Sequence, residues 1–311
     1  MSRKIAFVFS GQGAQYSGMG KEIANEYKCS MDVYNRANEA IGYDIKELIF
    51  NGSDEELKIT EKTQPSILTV SVASMMPLLE NGIKPEIVAG LSLGEYSAHV
   101  ASGTFAFEDA VRVVRERGRL MQGEVPIGVG TMAAILGLES RKVIAACEEC
   151  SKYGIVETAN FNCTGQVVIS GEINAVEKCV ELCKEKGARR AAILAVSAPF
   201  HCSMLTKAGE KLSAVLDDIS FNEMNIPLIS NVTADYVKST DEAKELLIRQ
   251  VSSSVLWKQS IKKMISDGIN TFVEIGPGKA LTGFIRKTNG DVDTFNVDNL
   301  ESLSNTLNEL K

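Results

Sequence analysis

Segments with the pattern of β-strands alternate along this chain with long segments of helical periodicity. Apolar runs at residues 4–9 and 86–89 have the length of strands, and helical patterns extend to about residue 81 and over residues 93–122. Parallel strands need a crossover connection, which is usually a helix. The alternation therefore predicts an α/β fold built on a parallel sheet.

A different order of segments begins near residue 131. It runs strand, helix, strand, strand, helix, strand, which is the βαββαβ unit of ferredoxin-like domains. The six segments are residues 131–138, 140–153, 155–160, 166–170, 173–186 and 189–196. After this unit the first pattern resumes, with helices predicted at 204–216 and 242–265, a strand at 271–275 and a helix from residue 279.

These patterns divide the chain into a large domain and a small one inserted into it. We predict a parallel-sheet core formed by residues 1–128 and 197–311, and a ferredoxin-like subdomain formed by residues 129–196. Ligand sites are frequent where two domains meet, so the cleft between these two is the first place to expect one.

Composition and charge narrow the class of protein. Of the 311 residues, 44% are hydrophobic and 23% are charged, which is typical of a globular chain, and the net charge of −7 argues against a nucleic-acid binder. The first apolar run is too short for a signal sequence, and no later stretch reaches the length of a membrane span. Seven cysteines, an odd number, suit buried thiols better than a disulfide framework. We therefore expect a cytoplasmic protein.

A Gly-x-Ser-x-Gly sequence, GLSLG at residues 90–94, lies between a predicted strand and a predicted helix. This is the context of a nucleophile elbow, in which glycines permit a strained turn that exposes the serine hydroxyl. The alternative is a glycine-rich turn in which Ser92 only caps the helix. The preceding strand favours the interpretation of Ser92 as a nucleophile.

A serine nucleophile needs a base, and the chain has two histidines, His99 and His201. His99 lies on the same predicted helix as Ser92, about 10 Å further along its axis, so we expect a structural or surface residue. His201 follows the last strand of the inserted unit, in a loop where a catalytic base is typical, although a hydrogen-bonded histidine at a helix start is the alternative. No Asp or Glu is suitably placed to complete a hydrolase triad, so a neutral group such as a backbone carbonyl would have to orient His201.

The segment FSGQGAQ at residues 9–15 is a glycine-rich turn after the first strand. It lacks the third glycine and the later acidic residue of a dinucleotide fingerprint, so we reject a Rossmann interpretation. At the carboxyl edge of the sheet, the same turn can present Gln12 and backbone N–H groups as an oxyanion hole near Ser92.

Arg117 falls on the apolar face of its predicted helix. Its neighbours one turn away are Val113, Val114, Leu120 and Met121. A guanidinium on such a face needs an anion, which is either a protein carboxylate or the carboxylate or phosphate of a ligand. The pattern alone does not decide between them.

Four cysteines have spacings that superficially suggest a zinc site. They are Cys147, Cys150, Cys179 and Cys183. Both pairs lie inside predicted helices, at spacings that suit helix packing, so we expect no metal there.

Seven stretches of the chain carry a resemblance to a known family. They are residues 9–15 (FSGQGAQ), 90–95 (GLSLGE), 117–122 (RGRLMQ), 160–171 (NFNCTGQVVISG), 199–202 (PFHC), 230–233 (SNVT) and 274–278 (EIGPG). In this order they resemble the stand-alone malonyl-CoA:acyl carrier protein transacylases of fatty acid synthesis, over essentially the whole length. The resemblance implies a hydrolase-like α/β core that carries a ferredoxin-like subdomain.

The resemblance also implies a role for each matching residue. Ser92 is the acylated nucleophile, and His201 is the base that activates it. Arg117 pairs with the malonyl carboxylate. The backbone N–H groups of Gln12 and Leu93 form the oxyanion hole.

The resemblance also has implications for four further residues. Gln250 falls where the family uses a main-chain carbonyl to orient the histidine, and Asn162 is placed to line the acyl or pantetheine channel. Leu91 departs from the family, which commonly has histidine there, so fine substrate selection can differ. Phe200 matches the malonyl-selective type, in which an aromatic ring leaves little room for a branched acyl group.

The implied reaction is a ping-pong transfer of the malonyl group from malonyl-CoA, through malonyl-Ser92, to the phosphopantetheine thiol of holo acyl carrier protein. It requires no metal or redox cofactor, no nucleic acid and no membrane. Basic residues at the end of the inserted unit are candidates for docking the acidic carrier: Lys184, Lys186, Arg189 and Arg190.

Three alternatives stand beside this interpretation. A stand-alone malonyl acyltransferase that serves a polyketide synthase has the same chemistry and a different carrier. A serine hydrolase or thioesterase would place a carboxylate behind His201 and release free malonate. A non-enzymatic scaffold for a carrier protein would leave the combination of Ser92, His201 and Arg117 unexplained.

Overall fold

The computed structural model describes residues 3–196 and 198–311, which form two β-sheets with helices packed on them. The strands are β1 (Ile5–Phe9), β2 (Ile87–Gly90), β3 (Gly130–Leu136), β4 (Val156–Cys163), β5 (Gln166–Glu172), β6 (Arg190–Ile193), β7 (Leu228–Ile229), β8 (Thr271–Ile275) and β9 (Asp293–Val297).

The helices surround both sheets. They are α1 (Lys21–Glu26), α2 (Lys28–Ile41), α3 (Ile45–Asn51), α4 (Asp54–Leu57), α5 (Thr60–Glu80), α6 (Gly94–Ser102), α7 (Phe107–Glu124), α8 (Ser140–Cys150), α9 (Ile173–Glu185), α10 (Thr206–Asp217), α11 (Thr240–Gln250), α12 (Trp257–Ser266), α13 (Ala280–Thr288) and α14 (Leu300–Leu310). Short 3₁₀ turns occur at Ser151–Tyr153 and Ser203–Leu205. None of the helices in the described part of the chain is long and apolar enough to cross a membrane.

The larger sheet has five parallel strands in the order β7-β2-β1-β8-β9. Side chains of β1 alternate between its two faces: Phe7 and Phe9 join one buried apolar cluster, and Ala6 and Val8 join another. Both faces are therefore covered, as is usual for a parallel sheet.

The register of the sheet brings three loops together. Phe9, at the end of β1, pairs with Gly90 at the end of β2 and with Ile275 at the end of β8. Because parallel strands end at the same edge, the loops that follow these strands meet there. Ligands of open α/β sheets bind at this edge.

The smaller sheet has four antiparallel strands in the order β4-β5-β3-β6, with its own apolar cluster against α8 and α9. This is the strand order of a ferredoxin-like unit, and it confirms the predicted fold class. The domain boundaries at 128/129 and 196/197 stay predictions, and residue 197 lies outside the described residues.

Several predicted segments differ from the observed ones. The helix predicted over 93–122 is two helices, α6 and α7, because Gly103 adopts φ +81° and ends α6. The helix predicted over 242–265 is also two, because the chain between α11 and α12 pairs with β4: Phe161 N–H donates to Val255 O at 2.9 Å, and Val255 N–H donates to Ala159 O at 2.8 Å. The last strand of the small sheet, predicted over 189–196, is shorter.

Candidate active site

The Gly-x-Ser-x-Gly segment forms a sharp turn between β2 and α6. Ser92 has φ +54°, in the left-handed region that L-residues seldom adopt. A Cβ atom on Gly90 would collide with the backbone of Gly94, and one on Gly94 would collide with the carbonyl of Phe9. Both glycines are therefore needed for close packing of the turn against β1, and the serine hydroxyl lies at the sheet edge.

His201 meets Ser92 at this edge. Its Nε2 lies 2.6 Å from Ser92 Oγ, and its Nδ1 lies 2.9 Å from the backbone oxygen of Gln250. Since a carbonyl oxygen only accepts, Nδ1 carries the hydrogen and Nε2 is the acceptor facing the hydroxyl. Burial, followed by the nearby Arg117 guanidinium, lowers the pKa of His201 to about 4. The imidazole is therefore neutral at pH 7, and it can take the hydroxyl proton as Ser92 attacks a substrate.

Arg117 lies beside this pair and is 1% exposed. Its Nη1 donates to Gln64 Oε1 at 2.8 Å, and its Nη2 donates to Gln250 Oε1 at 2.9 Å and to Ser92 Oγ at 3.2 Å. The guanidinium carbon also lies 5.3 Å from the centre of the Tyr96 ring. No carboxylate among the described residues forms an ion pair with Arg117. Of the two interpretations left open by the sequence, the ligand anion is thus the one that this geometry favours.

Two buried residues that the sequence did not single out, Glu95 and Gln64, also take part in the hydrogen bonds around Ser92 and Arg117. Glu95 Oε2 accepts a hydrogen bond from Gln250 Nε2 at 2.5 Å, and the same nitrogen donates to Ser92 O at 3.0 Å. Burial raises the pKa of Glu95 to about 7. Gln64 is the other, and its signal in the sequence is an amide on the long apolar helix α5, where a buried polar group needs a partner.

The two proposed oxyanion donors lie in different loops of the same sheet edge. Gln12 lines the cavity in the loop after β1, and its side-chain Nε2 donates to Thr60 Oγ1 at 3.4 Å. Leu93 follows Ser92 directly at the start of α6. Neither backbone N–H donates to an acceptor in residues 3–196 and 198–311, so both are available to a ligand.

A cavity of about 440 Å³ opens above Ser92 between the two sheets. The helices and loops around the larger sheet contribute Ser92, Arg117 and the loop after β1, and the smaller sheet covers them from the other side. Asn162 of β4 lines this cavity, is 7% exposed, and has no partner for its Oδ1 within the described chain. Leu91 and Phe200 line it as well.

The four basic residues proposed to dock a carrier are all exposed, at the end of α9 and the start of β6. Lys186 pairs with Glu149 at 3.1 Å. The segment that follows β6, residues 194–196, lines the cavity. Arg190 lies four positions before this segment in the sequence.

His99 is not part of the site. It is 1% exposed, so it is a buried residue and not a surface one. Its ring stacks on Phe105 with centroids 5.2 Å apart, and neither ring nitrogen has a partner among the described residues. The four cysteines of α8 and α9 are buried thiols, with Cys147 Sγ 3.8 Å from Cys179 Sγ. The described residues contain no group of three or more side chains that could hold a metal ion.

A family model and known relatives match nearly the whole length of this chain. A family model described as the acyl transferase domain matches residues 6–303. Malonyl CoA-acyl carrier protein transacylase from Bacillus subtilis is 44% identical over 309 residues, which cover 99% of this chain and 98% of that protein.

Solved structures of malonyl transacylases have the same fold as this chain. The crystal structure of malonyl CoA-acyl carrier protein transacylase from Clostridium perfringens has a TM-score of 0.96 and 49% identity, covering 99% of this chain and 97% of that one. A malonyl-transacylase in complex with its holo type II PKS acyl-carrier protein has a TM-score of 0.96 and 38% identity, covering 98% and 99%. The chain therefore belongs to the acyl transferase domain family, and within it to the malonyl CoA-acyl carrier protein transacylases.

Proposed function

We propose that this protein transfers the malonyl group from malonyl-CoA to the phosphopantetheine thiol of an acyl carrier protein, for fatty acid synthesis, through a malonyl-Ser92 intermediate. The observation that carries the proposal is the contact of Ser92 Oγ with both His201 Nε2 and Arg117 Nη2, at 2.6 and 3.2 Å. The malonyl carboxylate is only two bonds from the thioester carbon. A cation that binds this carboxylate must therefore lie close to the attacking hydroxyl, as Arg117 does.

In the first half-reaction, Ser92 Oγ attacks the thioester carbon and His201 Nε2 takes its proton. The oxyanion that forms accepts hydrogen bonds from the backbone N–H groups of Gln12 and Leu93. When the intermediate collapses, the carbon–sulfur bond breaks and the CoA sulfur leaves with the proton from His201. An ester of Ser92 and free CoA thiol result.

In the second half-reaction, the carrier thiol takes the place of CoA. His201 accepts the thiol proton, the sulfur attacks the ester carbon, and Ser92 Oγ recovers the proton as it leaves. The alternative of a serine hydrolase predicted a carboxylate behind His201, and the backbone oxygen of Gln250 occupies that place.

We assign selectivity for a short acidic acyl group to four cavity residues. Arg117 binds the carboxylate, in a bidentate contact that a neutral acyl group cannot make. Phe200, 8% exposed, limits room for a branch on the acyl chain. Leu91 supplies an apolar wall where family members commonly have histidine, and Asn162 Oδ1 is free to accept a hydrogen bond from the acyl or pantetheine chain.

The decisive experiment is intact-mass measurement in two steps. Incubation with malonyl-CoA is expected to add one malonyl group, located on Ser92 by peptide mapping, and holo acyl carrier protein is then expected to remove it and gain it. A fatty acid carrier and a type II polyketide carrier are compared in the second step. Release of free malonate in place of transfer would support a hydrolase.

We propose that the carrier docks on Lys184, Lys186, Arg189 and Arg190. Exchange of Arg189 and Arg190 for Glu is expected to raise KM for the carrier by about three- to tenfold at low salt, and by less at high salt. The matched control exchanges Arg141 and Lys142, which are exposed on α8 of the same sheet, for Glu. Equal effects of the two pairs would reduce the proposal to a general effect of charge.

We also propose a cytoplasmic location. All seven cysteines are free thiols in the structure, which suits a reducing compartment.

A further inference from the structure

The loop after β7 reaches across to the turn that holds Ser92. Asn231 in this loop is fully buried. Its Oδ1 accepts a hydrogen bond from Ser92 N–H at 2.6 Å, and its Nδ2 donates to Gly90 O at 2.7 Å. One side-chain amide therefore bridges the backbone on both sides of Leu91, using its acceptor and its donor.

Asn231 is itself held from two directions. Its backbone N–H donates to Glu95 Oε2 at 3.2 Å, and its backbone oxygen accepts from Leu256 N–H at 2.9 Å. Glu95 belongs to α6, which begins directly after the turn. The Asn231 backbone is thus fixed to α6 on one side and to the chain between α11 and α12 on the other.

The bridge acts on a strained segment. The described residues contain three non-glycine residues with positive φ: Ser92 at +54°, His201 at +60° and Ala234 at +53°. Two belong to the nucleophile–base pair, and the third lies in the Asn231 loop. Because an L-residue left to itself leaves this region, outside contacts must hold Ser92 there. With its N–H bound to Asn231, the peptide group before Ser92 has a fixed orientation.

We infer that Asn231 is a positioning residue for the nucleophile, which holds the Ser92 backbone so that Oγ stays within 2.6 Å of His201 Nε2. The inference rests on the proposed function of Ser92 as nucleophile. Asn231 acts only through Ser92, because it contacts the backbone of the turn from its buried side and does not line the cavity.

The test uses Asn231→Ala, which removes both hydrogen bonds, and Asn231→Asp, which keeps an acceptor for Ser92 N–H but replaces the donor that faces Gly90 O. Thr233→Ala is the matched control, since Thr233 lies in the same loop, is exposed, and hydrogen-bonds only within the loop. The single-turnover rate of acylation by malonyl-CoA is measured in each variant. The dissociation constant of malonyl-CoA is measured in the same variants with Ser92→Ala added.

Both Asn231 variants are expected to acylate about 10- to 100-fold more slowly at saturating malonyl-CoA, since small misplacement of a reacting group has effects of that size. The dissociation constant is expected to stay within about twofold, because Arg117 is not contacted by Asn231. A rate equal to that of Thr233→Ala, or a weaker dissociation constant with an unchanged saturated rate, would overturn the inference. If the alanine variant does not fold, the aspartate variant is judged by the same two measurements.

A sulfonyl fluoride separates this inference from the proposed function. It sulfonylates an activated serine, with the serine proton and fluoride leaving as HF, and needs no malonyl group. If the wild-type protein reacts with it at Ser92 but takes no malonyl group from malonyl-CoA, the proposed function fails. Slower sulfonylation of the Asn231 variants would then still support the positioning role, and an unchanged rate would exclude it.

Discussion

The surroundings of the two histidines differ in one respect that decides their chemistry. Both rings are buried, and burial lowers the pKa of His201 to about 4 and that of His99 to about 3. His201 nevertheless has a partner at each nitrogen, whereas His99 has none among the described residues and stacks on Phe105. Burial makes an imidazole neutral in both places. Only fixed partners make it a base, because they set which nitrogen accepts a proton and what it faces.

The largest expected effect tests this contrast directly. His201→Ala is expected to slow acylation of Ser92 by about two to four orders of magnitude, the usual contribution of a general base. In the wild-type protein, acylation is expected to fall as the pH drops toward about 4, where His201 becomes protonated. Stopped-flow acylation across this pH range measures both effects. Acylation of His201→Ala at the wild-type rate would remove His201 from the mechanism.

The second-largest effect is expected at Arg117, whose guanidinium lies beside His201. Arg117→Ala is expected to slow malonyl acylation by about 100-fold or more while acetyl acylation is kept or increased, because acetyl-CoA has no distal charge to leave unpaired. Arg117→Lys should recover malonyl acylation only in part, since an ammonium cannot make the bidentate contact.

Arg117→Ala also tests why the pKa of His201 is low. After burial, Arg117 is the second cause of the low pKa of His201. Its removal should raise the pKa of His201 and move the acidic limb of acetyl acylation to higher pH. Equal loss of malonyl and acetyl acylation, with a lower melting temperature, would instead indicate a structural role for Arg117.

A smaller effect is expected from Gln250→Ala. This variant loses the amide contacts to Ser92 O, Arg117 and Glu95 but keeps the backbone oxygen that holds His201 Nδ1. We expect acylation to fall by about tenfold, with an unchanged acidic limb, because the hydrogen bonds lost are not those of the base. A loss as large as that of His201→Ala would show that the side chain matters more than the carbonyl.

The smallest effect on catalysis is expected from His99→Phe, which should acylate within about twofold of the wild-type rate. In the wild-type protein, His99 should make the stability depend on pH. Above the ordinary pKa of 6.5 the histidine is neutral in both the folded and the unfolded chain. Below it the unfolded chain binds a proton that the folded chain excludes down to about pH 3, so the free energy of unfolding falls as the pH falls.

The phenylalanine variant removes one of the two histidines that act in this way. Its free energy of unfolding should decrease less steeply between pH 6 and 4 than that of the wild type, by up to about 1.4 kcal/mol per pH unit. Urea denaturation at several pH values measures the slope. A slope equal to that of the wild type would mean that His99 is protonated in the folded protein.

Local constraints made much of the molecule predictable from sequence. The positions of Ser92 and Arg117 follow from features within one turn of each residue: glycines that permit the strained turn, and apolar neighbours that place a guanidinium inside. The alternation of segments predicted both sheets, with three of the five strands of the larger one, because a strand and a helix differ in the period of their buried side chains.

Contacts between distant parts of the chain left no such local signal. Asn231 and Ser92 are 139 positions apart, and nothing around Asn231 in the sequence indicates which backbone it bonds. The chain between α11 and α12 is non-helical because Val255 pairs with β4, a partner that helical periodicity does not reveal. Strand β9 was missed because most of its residues are only partly buried at the edge of the sheet.

The two sides of the cavity differ in their contacts with Ser92. Among the described residues, every side chain that hydrogen-bonds to Ser92 comes from the core around the larger sheet, whereas Met132, Asn160, Asn162 and Val168 cover the cavity from the smaller one. A library of variants confined to those four positions would change the shape offered to the substrate and leave the partners of Ser92 unaltered. Substitutions in the smaller sheet would therefore reshape one wall of the cavity without disturbing the catalytic pair, whereas Arg117, Leu91 and Phe200 line the opposite side.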